Sequence, residues 1–176
     1  MRVVGGSLSG RRLQAPGQGV NSIRPTSDRV REAVFNMLDS LHAPAGVTVA
    51  DLFAGTGALG IEALSRGAAH ATFVEHDAAA CSIITASLAA LELSERADIV
   101  RGDVLPYIAR RADPVDLAFA DPPYSFDGWS ELLSTLSADV LVCESDREIE
   151  PDSDHTWRTA RVRRYGTPVI TILVQR

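Results

Sequence analysis

The stretch Val47-Thr48-Val49-Ala50-Asp51-Leu52-Phe53-Ala54-Gly55-Thr56-Gly57-Ala58-Leu59-Gly60 carries the reading that decides the fold. Val47–Phe53 is apolar, short and rich in β-branched residues, the pattern of a buried strand. Gly55 and Gly57 then let the backbone turn sharply and pass close to a ligand. Ala58–Arg66 follows as a helix, and its N-terminus is a favourable place for a carboxylate or phosphate. Gly55-x-Gly57-x-x-Gly60 matches the dinucleotide fingerprint, which alone is a weak signal.

Working outward, the chain keeps alternating. Strands are predicted at His70–Glu75, Ala97–Arg101, Val115–Ala120 and Ala138–Glu144, with helices at Ala78–Leu91, to about Arg111, and at Trp129–Leu136. Two closing strands, Trp157–Tyr165 and Val169–Val174, flank Gly166-Thr167-Pro168. Upstream, Ser27 reads as the N-cap of a helix with Asp28 in its first turn, carrying Val30, Val34, Met37, Leu38 and Leu41 at helical spacing. This alternation predicts an α/β doubly wound sheet, mostly parallel with an antiparallel last strand. Residues 1–25, rich in Gly, Arg and Pro, form a basic arm or small hairpin ahead of a domain at 26–176. The 176 residues suit one core, and a composition 45% hydrophobic and 23% charged is that of an ordinary globular protein. No run approaches the roughly 18 apolar residues of a membrane span, and no apolar signal core opens the chain, so a cytoplasmic monomer is expected. Cys81 and Cys143 lie in apolar stretches and read as buried free thiols. The four histidines are scattered, so no metal site is expected.

The net charge of −6 argues against a nucleic-acid partner, but its distribution argues for one. Arg2, Arg11, Arg12, Arg24, Arg29 and Arg31 face a single acid, Asp28, within residues 1–31. Arg158, Arg161, Arg163 and Arg164 form a second acid-free group. A solvated arginine-rich surface is the alternative reading.

Ligands in doubly wound folds sit at the carboxyl ends of the strands. The first three strands end in Asp51 with the glycine loop, in Glu75, and in Asp103. Glu75 can accept both hydroxyls of a ribose, or be a solvated strand-end acid. Asp103 can accept from an adenine amino group, or cap the next helix. Together they describe a site for adenosine without choosing between NAD and S-adenosylmethionine. The fourth strand chooses. Asp121-Pro122-Pro123-Tyr124 removes two backbone donors, stiffens the loop and leaves acceptors beside an aromatic ring. A ring-attached amino group is a poor nucleophile because its lone pair is delocalised. Acceptors on its two N–H bonds orient it for attack, and Tyr124 can stack on the base. Hydride transfer has no use for this arrangement.

With these residues in view, the sequence resembles the class I S-adenosylmethionine-dependent methyltransferases with a Rossmann-like sheet. More specifically it is similar to the bacterial RsmD-type enzymes, which methylate a guanine N2 of 16S ribosomal RNA. The matching segments are Arg2–Gly6, Gly10-Arg11-Arg12-Leu13, Arg24–Ala33, Asp51–Gly60, Glu62–Ala68, Phe73-Val74-Glu75, Asp121–Tyr124 and Arg164-Tyr165-Gly166-Thr167. The resemblance implies that Asp51, Phe53, Ala54, Gly55 and Gly57 hold the methionine and adenosine parts of the cofactor. It places Glu75 with His76 at the ribose, and Asp103 with Val104 at the adenine. Asp121, with Pro122, Pro123 and Tyr124, forms the catalytic loop, and Asp121 also borders the cofactor. Arg2, Arg11, Arg12 and Arg24 are expected to bind RNA, in the 30S subunit or an assembly intermediate. Arg24 and Thr26 fall near cofactor or RNA, or serve helix capping and packing. The chain departs from the family in two places: Ser87 stands where an Asn is usual, and Asp146–Thr156 is short for a crossover helix. The rival readings are an amino-methyltransferase acting on DNA adenine N6 or protein glutamine, and an NAD-dependent oxidoreductase. The latter lacks an obvious catalytic His or Tyr-x-x-x-Lys, since the chain has no lysine. A non-catalytic RNA-binding module would not need the Asp121–Tyr124 loop.

Overall fold

The computed structural model describes residues 1–14, 27–39, 45–111, 113–152 and 156–176. Arg24 and Thr26 lie outside the described residues, as do Pro25 and Leu41. In chain order the elements are α1 (Asp28–Asp39), β1 (Thr48–Leu52), α2 (Ala58–Ser65), β2 (His70–Glu75), α3 (Ala78–Ala90) and β3 (Ala97–Arg101). They continue with α4 (Val104–Arg110), β4 (Val115–Ala120), α5 (Trp129–Thr135), β5 (Ala138–Ser145), β6 (Trp157–Arg164) and β7 (Val169–Gln175). The seven strands lie in the order β3-β2-β1-β4-β5-β7-β6. β1 to β5 are parallel to one another, and β7 runs antiparallel to both β5 and β6. The strand order reverses between β1 and β4, which makes their carboxyl ends the switch point of the sheet.

The sheet is buried because both faces are covered. β1 has four consecutive buried residues, the mark of a central parallel strand. Side chains alternate between two cores. Val49, Phe73, Leu117, Phe119, Val142 and Ile172 pack with residues of α1, α2 and α3. Leu52, Val74, Ala118, Leu141, Cys143 and Leu173 pack with α4 and α5. Ser27 caps α1 through Val30 N–H at 3.2 Å, as its position before the apolar periodicity predicts.

All eight residues of α2 are buried, so this helix needs cover on its outer side as well. The N-terminal residues supply it. Arg2 and Arg12 form an antiparallel bridge, closed by Val3 N–H to the Arg11 carbonyl and Gly10 N–H to the Val3 carbonyl, both 2.9 Å. Val3 and Leu13, 2% and 6% exposed, join the α1–α3 core. Glu62 of α2, 1% exposed, accepts from Val4 N–H at 2.8 Å and Gly5 N–H at 2.7 Å. A Cβ on Gly6 (φ +75°) would sit 2.1 Å from the Ser65 carbonyl oxygen, so the Gly5-Gly6 pair is what lets the arm lie against the end of α2. Ser87, where the family usually carries Asn, accepts from Gln14 N–H at 3.1 Å and so also holds the arm.

Between β5 and β6 the described residues contain no crossover helix. Ile149 plugs the second core, its N–H donating to Thr171 Oγ1 at 3.2 Å, and buried Trp157 donates Nε1–H to the Leu133 carbonyl at 2.9 Å. Cys143 is buried, and its thiol pKa is pushed up by loss of solvation. Cys81, expected to be buried, is half-buried on α3 because its position falls at the edge of the packed face. Among the described residues no helix is long and apolar enough to cross a membrane.

Candidate functional site

The turn after β1 is held in left-handed backbone by Phe53 (φ 62°), Gly55 (φ 54°) and Gly57 (φ 74°). Ala54 N–H anchors it to the Val74 carbonyl at 3.0 Å, and Gly57 N–H closes it on the Ala54 carbonyl at 2.7 Å. Gly60 serves packing: a Cβ there would lie 2.3 Å from Phe73 Cε1, so only glycine lets α2 approach β2 this closely.

Asp51 is 2% exposed and accepts from Gly60 N–H at 2.8 Å, tying β1 to the first turn of α2. Burial pushes its carboxyl up to about 8; the Gly60 bond opposes the shift, while the charges of Asp121 and Glu75 add to it. The register, with Leu52 paired to Val74 and to Ala120, sets Glu75 and Asp121 one residue beyond the same row, so the acids ending β1, β2 and β4 share one edge.

Glu75, at the end of β2, is 6% exposed. Its Oε2 accepts from Gly55 N–H at 2.8 Å, and its Oε1 accepts from Asp77 N–H at 2.9 Å. The exposed His76 ring places Nδ1 3.0 Å from the same Oε1. The carboxylate is thus fixed in direction while lone pairs remain on both oxygens. Asp77 caps α3 through Ala79 and Ala80 N–H at 2.6 and 3.0 Å, and these bonds lower its pKa. Sequence reasoning missed Asp77, although an acid immediately before an alanine run is an N-cap signal.

Asp103 stands at the N-cap position of α4, yet its side chain makes no capping bond and is exposed. Val104, the first residue of the helix, is buried in the second core. After β4, Asp121 and Tyr124 are half-buried, Pro122 is buried and Pro123 is exposed. Phe126 N–H donates to the Pro123 carbonyl at 2.8 Å, closing the loop on itself. An aromatic chain then joins the β1 and β4 loops: Phe53 meets Phe126 at 5.0 Å and Phe126 meets Trp129 at 5.5 Å, both edge-on. Phe126 escaped sequence reasoning because a loop aromatic carries no periodicity, and Trp129 was read only as the start of a helix.

The structure therefore brings Asp51, Phe53, Ala54, Gly55, Gly57, Glu75 and Asp121–Tyr124 to one edge of the sheet, with His76, Asp103 and Val104 beside them. It does not bring the arm there. Arg11 donates to the Ala90 carbonyl at the carboxyl end of α3, and residues 5–8 contact Ser65 and Arg66 at the carboxyl end of α2. Both helices start at the site and run away from it, so Arg2, Arg11 and Arg12, all exposed, sit toward the opposite end.

Known proteins share this chain's sequence and fold. The chain is 40% identical to ribosomal RNA small subunit methyltransferase D of Escherichia coli K12 over 174 residues, covering 94% of this chain and 85% of that protein. The solved structure of the Escherichia coli protein yhhF superposes with a TM-score of 0.84 at 32% identity, covering 99% and 97% of the two chains. More distantly, SMU.776, solved in complex with SAH, shares the fold at a TM-score of 0.64 and 20% identity over 84% of this chain and 49% of that one. A family model described as conserved hypothetical protein 95 matches residues 1–174. The chain belongs to that family, the RsmD family of ribosomal RNA methyltransferases.

Proposed function

We propose that the protein transfers a methyl group from S-adenosylmethionine to the exocyclic N2 of a guanine in 16S ribosomal RNA. The observation that carries this reading is the convergence of Asp51, Glu75 and Asp121 around the glycine turn. Asp51 keeps its proton near neutral pH, so the charges at this edge are those of Glu75 and Asp121, which disfavour the pyrophosphate of NAD and favour a cationic ligand. S-adenosylmethionine supplies an electrophilic methyl on a positively charged sulfonium. Glu75, already aimed by Gly55 and Asp77, has acceptors left for ribose hydroxyls. Asp103, free of a capping bond, has acceptors for an adenine amino group, with Val104 beneath it. The loop of Phe53, Ala54, Gly55 and Gly57 offers backbone to the methionine end.

Asp121 and the Pro122 carbonyl accept the two N–H bonds of the guanine amine and direct its lone pair. Tyr124 stacks on the base, which must leave its helix to reach the loop. The product amine sheds its proton to solvent, so Asp121 orients and no strong general base is needed. Arg2, Arg11, Arg12 and Arg24 contact RNA at a distance from the reacting base. The relatives' names support ribosomal RNA of the small subunit as substrate. The deciding experiment is labelled methyl transfer to 30S particles, deproteinised 16S RNA and DNA, followed by nucleoside analysis. N2-methylguanosine is the expected product; N6-methyladenine in DNA, or no transfer to RNA, would overturn the reading.

A further inference from the structure

The register of the sheet carries β6 to the same edge as the site. Ala120 pairs with Cys143, Cys143 with Thr171, and Thr171 with Val162, forming one row across four strands. The next rows are Glu144–Ile170–Arg163 and Ser145–Val169–Arg164. Since β6 runs parallel to β4, Arg163 and Arg164 stand level with Asp121 and Pro122. Three strand spacings separate them, roughly 14 Å. Strand alternation sends the two side chains to opposite faces, so they straddle the edge. Both are exposed. Among the described residues neither is paired with a carboxylate, whereas neighbouring Arg147 is held by Asp146. Arg163 spends one donor on the Val162 carbonyl and keeps the rest.

We propose that Arg163 and Arg164, at the carboxyl end of β6, grip the phosphates of the RNA strand flanking the target base and so position it over the Asp121–Tyr124 loop. This rests on the ribosomal RNA reading above. Phosphate is the partner that fits, because guanidinium forks match its geometry and β6 carries arginines with no acid.

The test compares full-length wild type with Arg163→Ala/Arg164→Ala and Arg163→Lys/Arg164→Lys. Binding to deproteinised 16S RNA and to 30S particles is measured across a salt series, with S-adenosylmethionine affinity and thermal midpoint measured alongside. Two lost phosphate contacts should make the slope of log K against log salt shallower by about 1.4–1.8, which is roughly 25- to 60-fold in affinity at 0.1 M salt. The lysine variant should keep most of the slope. Cofactor affinity and midpoint should not move, and methyl transfer should show a raised KM for RNA with kcat kept. An unchanged slope in the alanine variant, with wild type methylating RNA, overturns this inference and leaves the proposed function standing. Loss of particle binding alone, with bare RNA bound as before, identifies a protein contact and also overturns it. If wild type methylates DNA or protein but not RNA, the functional reading fails and this one with it.

Discussion

The carboxylate of Glu75 has one oxygen on Gly55 N–H and the other on Asp77 N–H, so it shapes the loop as well as the proposed ribose site. Glu75→Ala would disturb both roles, and Glu75→Gln is the sharper probe because it keeps an acceptor and the size. Wild type is expected to bind S-adenosylmethionine in the micromolar range, and the variant to lose about 1.5–3 kcal/mol per charged hydrogen bond removed, with NAD unbound throughout. Calorimetry with unchanged affinity would remove the ribose assignment. In the β4 loop, Asp121→Ala and Tyr124→Ala are expected to lose methyl transfer with the fold retained. Asp121→Asn should keep more, since an amide oxygen still accepts, and Tyr124→Phe should keep most, since stacking needs the ring. A Tyr124→Phe variant as inactive as Tyr124→Ala would make the hydroxyl the working group. Asp51 supplies a pH prediction. Its folded pKa, about 8, lies above the ordinary aspartate value of 3.8, so the folded state binds the extra proton between those values. Stability should therefore fall as pH rises from about 4 to 8. Asp51→Asn, which can still accept from Gly60, should flatten this fall and raise the melting midpoint at pH 8. Parallel curves for the two proteins in thermal melts across that range would contradict it.

At the scale of elements, α2 is the hinge of the architecture. It abuts β2 through Gly60, faces the site with Gly57 at its start, and carries the arm on Glu62. Glu62 also receives Arg66 Nε–H at 2.9 Å and lies 3.4 Å from Nε of the fully buried Arg31, itself bonded to the Arg2 carbonyl. Removing Glu62 leaves buried Arg31 with only the exposed Asp28 carboxylate at 2.9 Å and Arg66 with only Asp39 at 3.8 Å, a break in a buried ion group that costs about 3–5 kcal/mol. Glu62→Ala is thus expected to lower stability by that amount in denaturant melts and to open Arg11-Arg12 to trypsin. A variant with wild-type midpoint and intact arm would show that Val3 and Leu13 alone hold the segment.

Across the whole molecule, charge is sorted by place. Acids line the cofactor edge, while arginines of the arm lie toward the far ends of α2 and α3. If the arm binds RNA, as proposed, Arg11→Ala/Arg12→Ala should lower the salt slope of RNA binding by roughly 0.7–0.9 per contact while cofactor affinity holds. An identical slope and affinity would make the arm purely structural, its role being to cover α2.

The sequence by itself determined the strand–helix alternation, the glycine turn and the acids that end the strands. Each is written in local pattern: period, turn chemistry, and a residue's place at the end of an apolar run. His70–Glu75, Ala97–Arg101 and Val115–Ala120 were legible to the residue for that reason. The stretch after β5 read as acidic and short for a crossover helix, which left the path of the last strands open; its described residues hold no helix. Only the tertiary structure decided where the arginine groups lie relative to the site, because that depends on strand order and register. It alone showed Glu62 and Arg31 as the arm's buried anchor and Ser87 as its second attachment. It also set the ionisation of Asp51, since burial and the nearness of Glu75 and Asp121 are properties of packing that no local pattern records.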